Sequence, residues 1–156
     1  MTDTKVGEQV TDFTIAATGD KTISLADLKG KNVIIYFYPK DSTPGCTTEG
    51  QNFRDTFEQF TKLNTLIFGV SRDSIKSHEN FKKKQEFPFD LLSDADEALC
   101  NLFDVIKLKK LYGREYMGIE RSTFLLDTEG KLINEWRKIK LKGHVDEVLK
   151  TVKLLK

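Results

Sequence analysis

Residues 33–50 read VIIYFYPKDSTPGCTTEG: an apolar run, a polar loop holding two prolines, and a cysteine. The run from Val33 to Tyr38 is almost unbroken, which a strand covered on both faces explains and a half-exposed strand does not. After the loop, Phe53, Phe57, Phe60 and Leu63 recur at helical spacing, so a helix with one apolar stripe is expected to begin near Cys46. Cys46 then lies in a first helical turn at the carboxyl end of a buried strand, the place where open α/β sheets bind ligands.

The pattern continues outward from this unit. DFTIAATGDKTISL, residues 12–25, alternates about Gly19 and Asp20 and predicts an N-terminal β-hairpin. TLIFGVS (65–71) predicts a second buried strand, and residues 74–86 a helix. LLSD follows, then a helix from Ala95 to Phe103 and an irregular stretch from Asp104 to Glu120. RSTFLLD and KLINEWR flank Thr128-Glu129-Gly130 as a second hairpin, and Val145, Val148, Leu149, Val152 and Leu155 mark a closing helix. The class is α/β, a mixed central sheet flanked by helices with an N-terminal β-hairpin, expected as a single domain over residues 1–156.

Charged residues make up 31% of the chain, yet the formal net charge is only +1, which argues against a nucleic-acid or membrane-surface partner. Lys82, Lys83 and Lys84, and Lys107, Lys109 and Lys110, read as solvated faces, since acidic residues stand close to each group. MTDTKVGEQV lacks the apolar stretch of a signal peptide, and no run approaches the ~20 apolar residues of a membrane span, so a cytoplasmic protein is expected. Two cysteines 54 positions apart do not form a secreted disulfide framework. His78 and His144, 66 residues apart, give no zinc spacing and are expected on exposed helix positions, so neither metal nor other cofactor is foreseen. Tyr112, Tyr116, Met117 and Trp136 are expected to fill space rather than to border an entrance.

Cys46 asks for a chemical explanation. A helix N-terminus favours negative charge on sulfur by ~0.3–1 kcal/mol, ~2 at best. Moving an ordinary thiol from pKa ~8.5 to below 7 takes roughly two units, or ~2.7 kcal/mol, so a second positive group is needed. Arg121, opening the strand RSTFLLD at what reads as a sheet edge, is the candidate: it keeps its charge and offers several donors to a thiolate and an incoming oxygen. Thr43 adds a hydroxyl on the same loop, and Pro39 and Pro44 restrict that loop. Thr43, the N–H groups of the Pro44-Gly45-Cys46 turn and Arg121 together suit a small oxygen substrate.

Pro39, Thr43 and Cys46 stand in the spacing P-x-x-x-T-x-x-C, and with FYPK before them and RSTFLLD after them the chain resembles the peroxiredoxins. More narrowly it is similar to the bacterioferritin-comigratory-protein, or peroxiredoxin Q, group; VGEQVTDFTI, FYPKDSTPGCTTE, LLSD and IERSTFLLDTEGK follow in the expected order. The resemblance implies a thioredoxin-like fold and thiol-dependent reduction of hydrogen peroxide and organic hydroperoxides. It makes Cys46 the peroxidatic nucleophile, Thr43 a hydrogen-bonding partner of peroxide or thiolate, Pro39 a shield of the pocket and Arg121 the stabilising cation. Glu49 matches a position whose carboxylate orients that arginine; unpaired, it would oppose negative charge on the sulfur. Thioredoxin, glutaredoxin or a low-molecular-weight thiol would be the reductant, and the protein a monomer or weak dimer.

Members of this group often carry a resolving cysteine where this chain has Gln51, or near Lys82 and Lys83 in the following helix. Neither position is cysteine here, so resolution by an external thiol is expected. Cys100 is the one internal candidate, but on its helix it flanks the Leu99, Leu102 and Phe103 stripe and reads first as a small, partly buried filler. Two other readings stay open: a two-cysteine mechanism through Cys100, and a thioredoxin-fold holdase or interaction protein without chemistry. A disulfide oxidoreductase is disfavoured because no C-x-x-C occurs.

Overall fold

The structure, a computed structural model, describes residues 5–155; the N-terminal part of the leader reading and the outermost ends of the expected domain lie outside them. A seven-stranded sheet has the order β2-β1-β5-β4-β3-β8-β9. Its strands are β1 (Thr14–Ala17), β2 (Lys21–Ser24), β3 (Asn32–Phe37), β4 (Thr65–Ser71), β5 (Asp90–Ser93), β8 (Ser122–Leu126) and β9 (Leu132–Arg137). β3, β4 and β5 are parallel, whereas β1 and β8 join them antiparallel, which makes the sheet mixed.

The reading of β3 as doubly covered holds residue by residue. Val33, Ile35 and Phe37 enter one core with Val70, Phe124 and Phe103, and Ile34, Tyr36 and Tyr38 enter the other with Phe53, Phe60, Phe81 and Val148. Each fully buried apolar side chain of this size is worth ~1.5–3 kcal/mol, so β3 is the strand on which both cores depend. The second core is roofed by α1 (Pro44–Asp55), α2 (Phe57–Lys62), α3 (Ile75–Gln85) and α5 (His144–Lys153), and the first receives the short α4 (Ala98–Leu102).

Several local expectations are corrected. The helix from Cys46 onward is two helices, because Thr56 (φ −110°, ψ 7°) leaves helical geometry and its hydroxyl bonds the Asn52 carbonyl at 2.8 Å. Phe53 and Phe60 remain buried across this break, whereas Phe57 is half-buried. α4 starts at Ala98 rather than Ala95, since the Asp94 carboxylate accepts the N–H groups of Leu99 (2.9 Å) and Cys100 (2.6 Å) and so fixes where the turn begins.

The stretch 104–120 is not irregular. β6 (Ile106–Leu111) and β7 (Arg114–Ile119) pair as a separate antiparallel hairpin, closed by Tyr112 and Gly113 at φ 51° and 77°, the positive values a two-residue primed turn requires. Its strands hide in the sequence because most of their side chains meet no core, so lysines interrupt any alternation. Tyr112, Tyr116 and Met117 are correspondingly exposed (95%, 45% and 54%) and do not fill space as expected. Trp136 is half-buried, its Nε1 donating to Glu147 at 2.7 Å.

α1 approaches the chain after α3 through a glycine. A Cβ at Gly50 would stand 2.3 Å from the Phe87 ring, which is itself stacked on Phe89 and edge-on to Phe81 and has little room to retreat. Gly50→Ala gains ~1 kcal/mol of helix propensity but overpacks this contact, which costs ~1–3 kcal/mol or more. Net destabilisation is expected as a lower urea midpoint; an unchanged or higher midpoint would show that Phe87 yields freely.

Candidate active site

The register of β3 with β8 builds the site. Phe37 pairs with Ser122, so Arg121 leaves its strand beside Tyr38 and Pro39, where the loop to α1 departs. Arg121 is therefore at the end of an interior strand, between β3 and β9, and not at a sheet edge. Its Nη1 donates to Glu49 Oε1 at 2.7 Å and its Nη2 to Cys46 Sγ at 3.4 Å. Glu49 and Cys46 are one turn apart on α1, so one guanidinium grips two groups on the same helix face. Gly45 permits this: a Cβ there would lie 3.2 Å from Nη2. Cys46 itself is 2% exposed.

Glu49 is fully buried, and burial pushes its carboxyl up to about 7 against the lowering pull of Arg121. Its Oε2 has no protein hydrogen-bond partner, nor has the hydroxyl of buried Tyr36. Burial works against the Arg121 cation, but the charges of Glu49 and Cys46 outweigh it and hold its pKa above the usual value. Thr43 is half-buried and precedes α1; its hydroxyl donates to the Lys40 carbonyl at 2.8 Å rather than to sulfur, leaving oxygen lone pairs as acceptors. Pro39 is half-buried between Tyr38 and the loop.

A second set of residues, missed in the sequence, anchors the loop from below. Asp41, between Pro39 and Thr43, is turned inward: its Oδ1 accepts from Tyr38 (2.6 Å), and its Oδ2 meets Ser77 (2.8 Å) and His78 Nδ1 (2.7 Å). The Asp41 N–H donates to Asp73 Oδ2 at 2.8 Å. His78 is completely buried, not exposed, because its Nε2 also faces an acceptor, the Leu92 carbonyl at 2.9 Å. The imidazole thus spans from the Asp41 carboxyl to the Leu92 carbonyl. Asp41, Asp73 and His78 bring ligand-type atoms within 4.8 Å of one another, and these hydrogen bonds account for them. The available sequence signal was His78 three residues before Phe81, on the apolar face of α3. His144 is buried as well, its Nε2 2.8 Å from Thr123 Oγ1, and burial lowers its imidazole to about 4.

Cys100 is farther from a reactive role than its position on the flank of α4 suggested. It is 0% exposed, and burial, together with Asp94, raises its thiol far above the ordinary range. It belongs to the first core and Cys46 to the second, so the two thiols lie on opposite faces of the sheet. Both are free.

A mixed sheet flanked by helices, with an N-terminal hairpin and a thiol in the first turn of the helix that follows a parallel strand, places the chain in the thioredoxin-like fold class. The AhpC/TSA family pattern matches residues 6–134. Peroxiredoxin Bcp of Bacillus subtilis is 53% identical over 149 residues, covering 96% of this chain and 95% of its own. The structure of Xanthomonas campestris peroxiredoxin Q superposes with a TM-score of 0.87 at 53% identity, over 90% of this chain and 89% of that one. A Xanthomonas campestris bacterioferritin comigratory protein studied for its alkyl peroxide reduction activity gives 0.87 at 52% identity, over 90% of each chain. The chain belongs to the AhpC/TSA family as a peroxiredoxin of the bacterioferritin-comigratory-protein, or peroxiredoxin Q, group, and is by that membership a thiol-dependent hydroperoxide reductase.

Two outcomes follow from the buried polar groups. Asp41→Ala leaves the Tyr38 hydroxyl, Ser77 and His78 Nδ1 without their shared partner, which costs about 1–3 kcal/mol for a buried group left unsatisfied and is read as a loss of unfolding free energy in urea; a loss below about 0.5 kcal/mol would show that Asp41 is not an anchor. Burial holds the folded Glu49 carboxyl at about 7, above its ordinary value of 4.5, so between those values the folded state holds more protons and stability falls as pH rises. At ~1.4 kcal/mol per unit this amounts to roughly 3 kcal/mol lost between pH 5 and 8. Glu49→Gln removes this loss, so the stability of the variant relative to wild type should climb over that range; a constant difference would overturn the assignment.

Proposed function

We propose that Cys46 is the peroxidatic nucleophile of a one-cysteine peroxidase acting on hydrogen peroxide and organic hydroperoxides. The observation that carries this reading is the Arg121 bridge, 3.4 Å from Cys46 Sγ and 2.7 Å from Glu49 Oε1. The sulfur attacks the terminal peroxide oxygen: an S–O bond forms, the O–O bond breaks, and the departing alkoxide or hydroxide takes a proton to leave as alcohol or water. Arg121 stabilises charge on sulfur and on the breaking peroxide, and Glu49 holds the guanidinium in position. Thr43 accepts a hydrogen bond from the peroxide, Pro39 shields the pocket, and Gly45 lets the arginine approach.

Resolution falls to an external thiol: thioredoxin, glutaredoxin or a low-molecular-weight thiol. The separation of Cys46 and Cys100 by the sheet supports this, since a disulfide needs Cα atoms within ~7 Å. The alkyl peroxide reduction described for the Xanthomonas campestris relative supports the substrate range. One domain carries the whole site, and the protein works in the cytoplasm as a monomer or weak dimer; among the described residues no helix is long and apolar enough to cross a membrane.

Intact-mass measurement after one equivalent of hydrogen peroxide tests the reading. A gain of about 16 Da confined to Cys46 is expected, with turnover abolished in Cys46→Ser and kept within about twofold in Cys100→Ser. Arg121→Gln should slow the peroxide step about 10²–10³-fold. Undiminished turnover in Cys46→Ser would sink the reading, and a loss of two mass units would replace it with an internal bridge.

A further inference from the structure

With Cys100 on the far face of the sheet, a reductant of Cys46 comes from solvent, and the exposed loop that touches the site is 138–142, KIKLK. The Ile139 N–H donates to the Arg121 carbonyl at 3.2 Å, and Leu141 Cδ1 is 3.5 Å from where a Cβ on Gly45 would stand. This loop is thus fastened both to the strand end that presents Arg121 and to the helical turn that presents Cys46. Its side chains alternate. Ile139 and Leu141 are half-buried, whereas Lys138, Lys140 and Lys142 are exposed.

None of these three lysines has an ion-pair partner among the described residues, whereas Lys82, Lys107 and Lys110 pair with Asp90, Asp104 and Glu115. From β6, Lys109 adds a further cation to the same field, its ammonium lowered first by burial and then by the charge of Arg121. The acidic groups nearest in sequence are Glu135, which pairs with Arg137, and Asp146 and Glu147 in the first turn of α5, where Glu147 is engaged by Trp136. Lys138 lines a cleft with Asp104, Glu120 and Glu135, which offset its charge. In a chain with a formal net charge of only +1, Lys140 and Lys142 thus stand as unpaired cations on either side of the Leu141 that meets the Cys46 turn.

We propose that Lys140 and Lys142 form the docking rim for the reducing thiol, and that this thiol is flanked by carboxylates. The proposal rests on the peroxidase reading of Cys46 and adds the chemistry of its reductant. The incoming thiolate attacks the Cys46 sulfenic sulfur; an S–S bond forms, the S–O bond breaks, and hydroxide departs as water with the proton of the thiol. A second thiol displaces Cys46 from the mixed disulfide and returns it as thiolate. Opposite charge at the rim raises the rate of encounter by ~10–10³-fold at low salt and loses that advantage as the Debye length shortens.

The test oxidises the full chain with one equivalent of hydrogen peroxide. It then follows loss of the sulfenic acid in mercaptosuccinate, 2-mercaptoethanol or cysteamine, each rate divided by thiolate concentration. For wild type the order mercaptosuccinate, mercaptoethanol, cysteamine is expected, converging as salt is raised. In Lys140→Glu/Lys142→Glu the ratio of mercaptosuccinate to mercaptoethanol rates should fall about tenfold, and Lys84→Glu on α3 should leave it unchanged. A thioredoxin arm separates sources: slowing of both thioredoxin and mercaptosuccinate points to a protein thiol, slowing of mercaptosuccinate alone to a small one. Equal rates for the three thiols in wild type, or an equal drop for all of them in the double variant, would overturn the rim. Failure of wild type to form the sulfenic acid at all would instead overturn the peroxidase reading, and the rim with it.

Discussion

The guanidinium of Arg121 is the one group that makes the rest of the site compatible. α1 carries two groups that compete for positive charge, Cys46 and Glu49, one turn apart and both out of water. Without a cation between them, a charged Glu49 would oppose negative charge on the sulfur. Arg121 meets both, and no shorter or single-pronged side chain would, because the two contacts use two different nitrogens of a rigid planar fork. The unpartnered Oε2 of Glu49 shows that this solution is tight. Protonation near neutrality relieves the carboxylate and leaves the whole cationic charge facing the sulfur.

Placing that fork depends on β3. Because β3 is hydrogen-bonded to β4 on one side and β8 on the other, its end brings the loop to α1 and the start of β8 together. Because β3 is covered on both faces, it also divides the protein into two cores, one holding Cys46 and the other Cys100. The strand that sets the Cys46 loop against Arg121 thus keeps the second thiol away from it. On the proposed one-cysteine route a molecule outside the chain completes the chemistry, which gives the surface around the thiol a selective role.

The β3–loop–α1 unit, both hairpins of the main sheet and the pairing of Cys46 with Arg121 were legible in the sequence. Each leaves a strong local signal: an unbroken apolar run, glycine-bearing turns, and an arginine immediately before a buried strand. What escaped depends on tertiary contact. The hairpin from Ile106 to Ile119 packs mostly against solvent, so no alternation reports it, and its turn uses Tyr112-Gly113 rather than a more recognisable pair. Asp41 and His78 look like ordinary surface residues until β5 supplies the Leu92 carbonyl and Tyr38, just past β3, its hydroxyl. A polar residue is predicted outside by default, and only its partners, distant in sequence, explain why it is inside.

Those partners connect the core to the reacting atoms. Asp41 is two residues from Thr43 and five from Cys46, and it is held by Tyr38, Asp73, Ser77 and His78, from the end of β3, the turn after β4 and α3. The active loop is therefore hydrogen-bonded beneath to the turn after β4 and to α3, while Arg121 grips α1 from the β8 side. Loops are usually the softest parts of a fold. Here the loop is fixed at both ends and in the middle, by prolines, by a buried carboxylate and by a guanidinium, and that rigidity suits donors that must be in place before a small peroxide arrives. The segment 138–142 differs: it touches the site through Ile139 and Leu141 but offers its lysines to solvent, so it can meet a visiting thiol without disturbing the geometry beneath it.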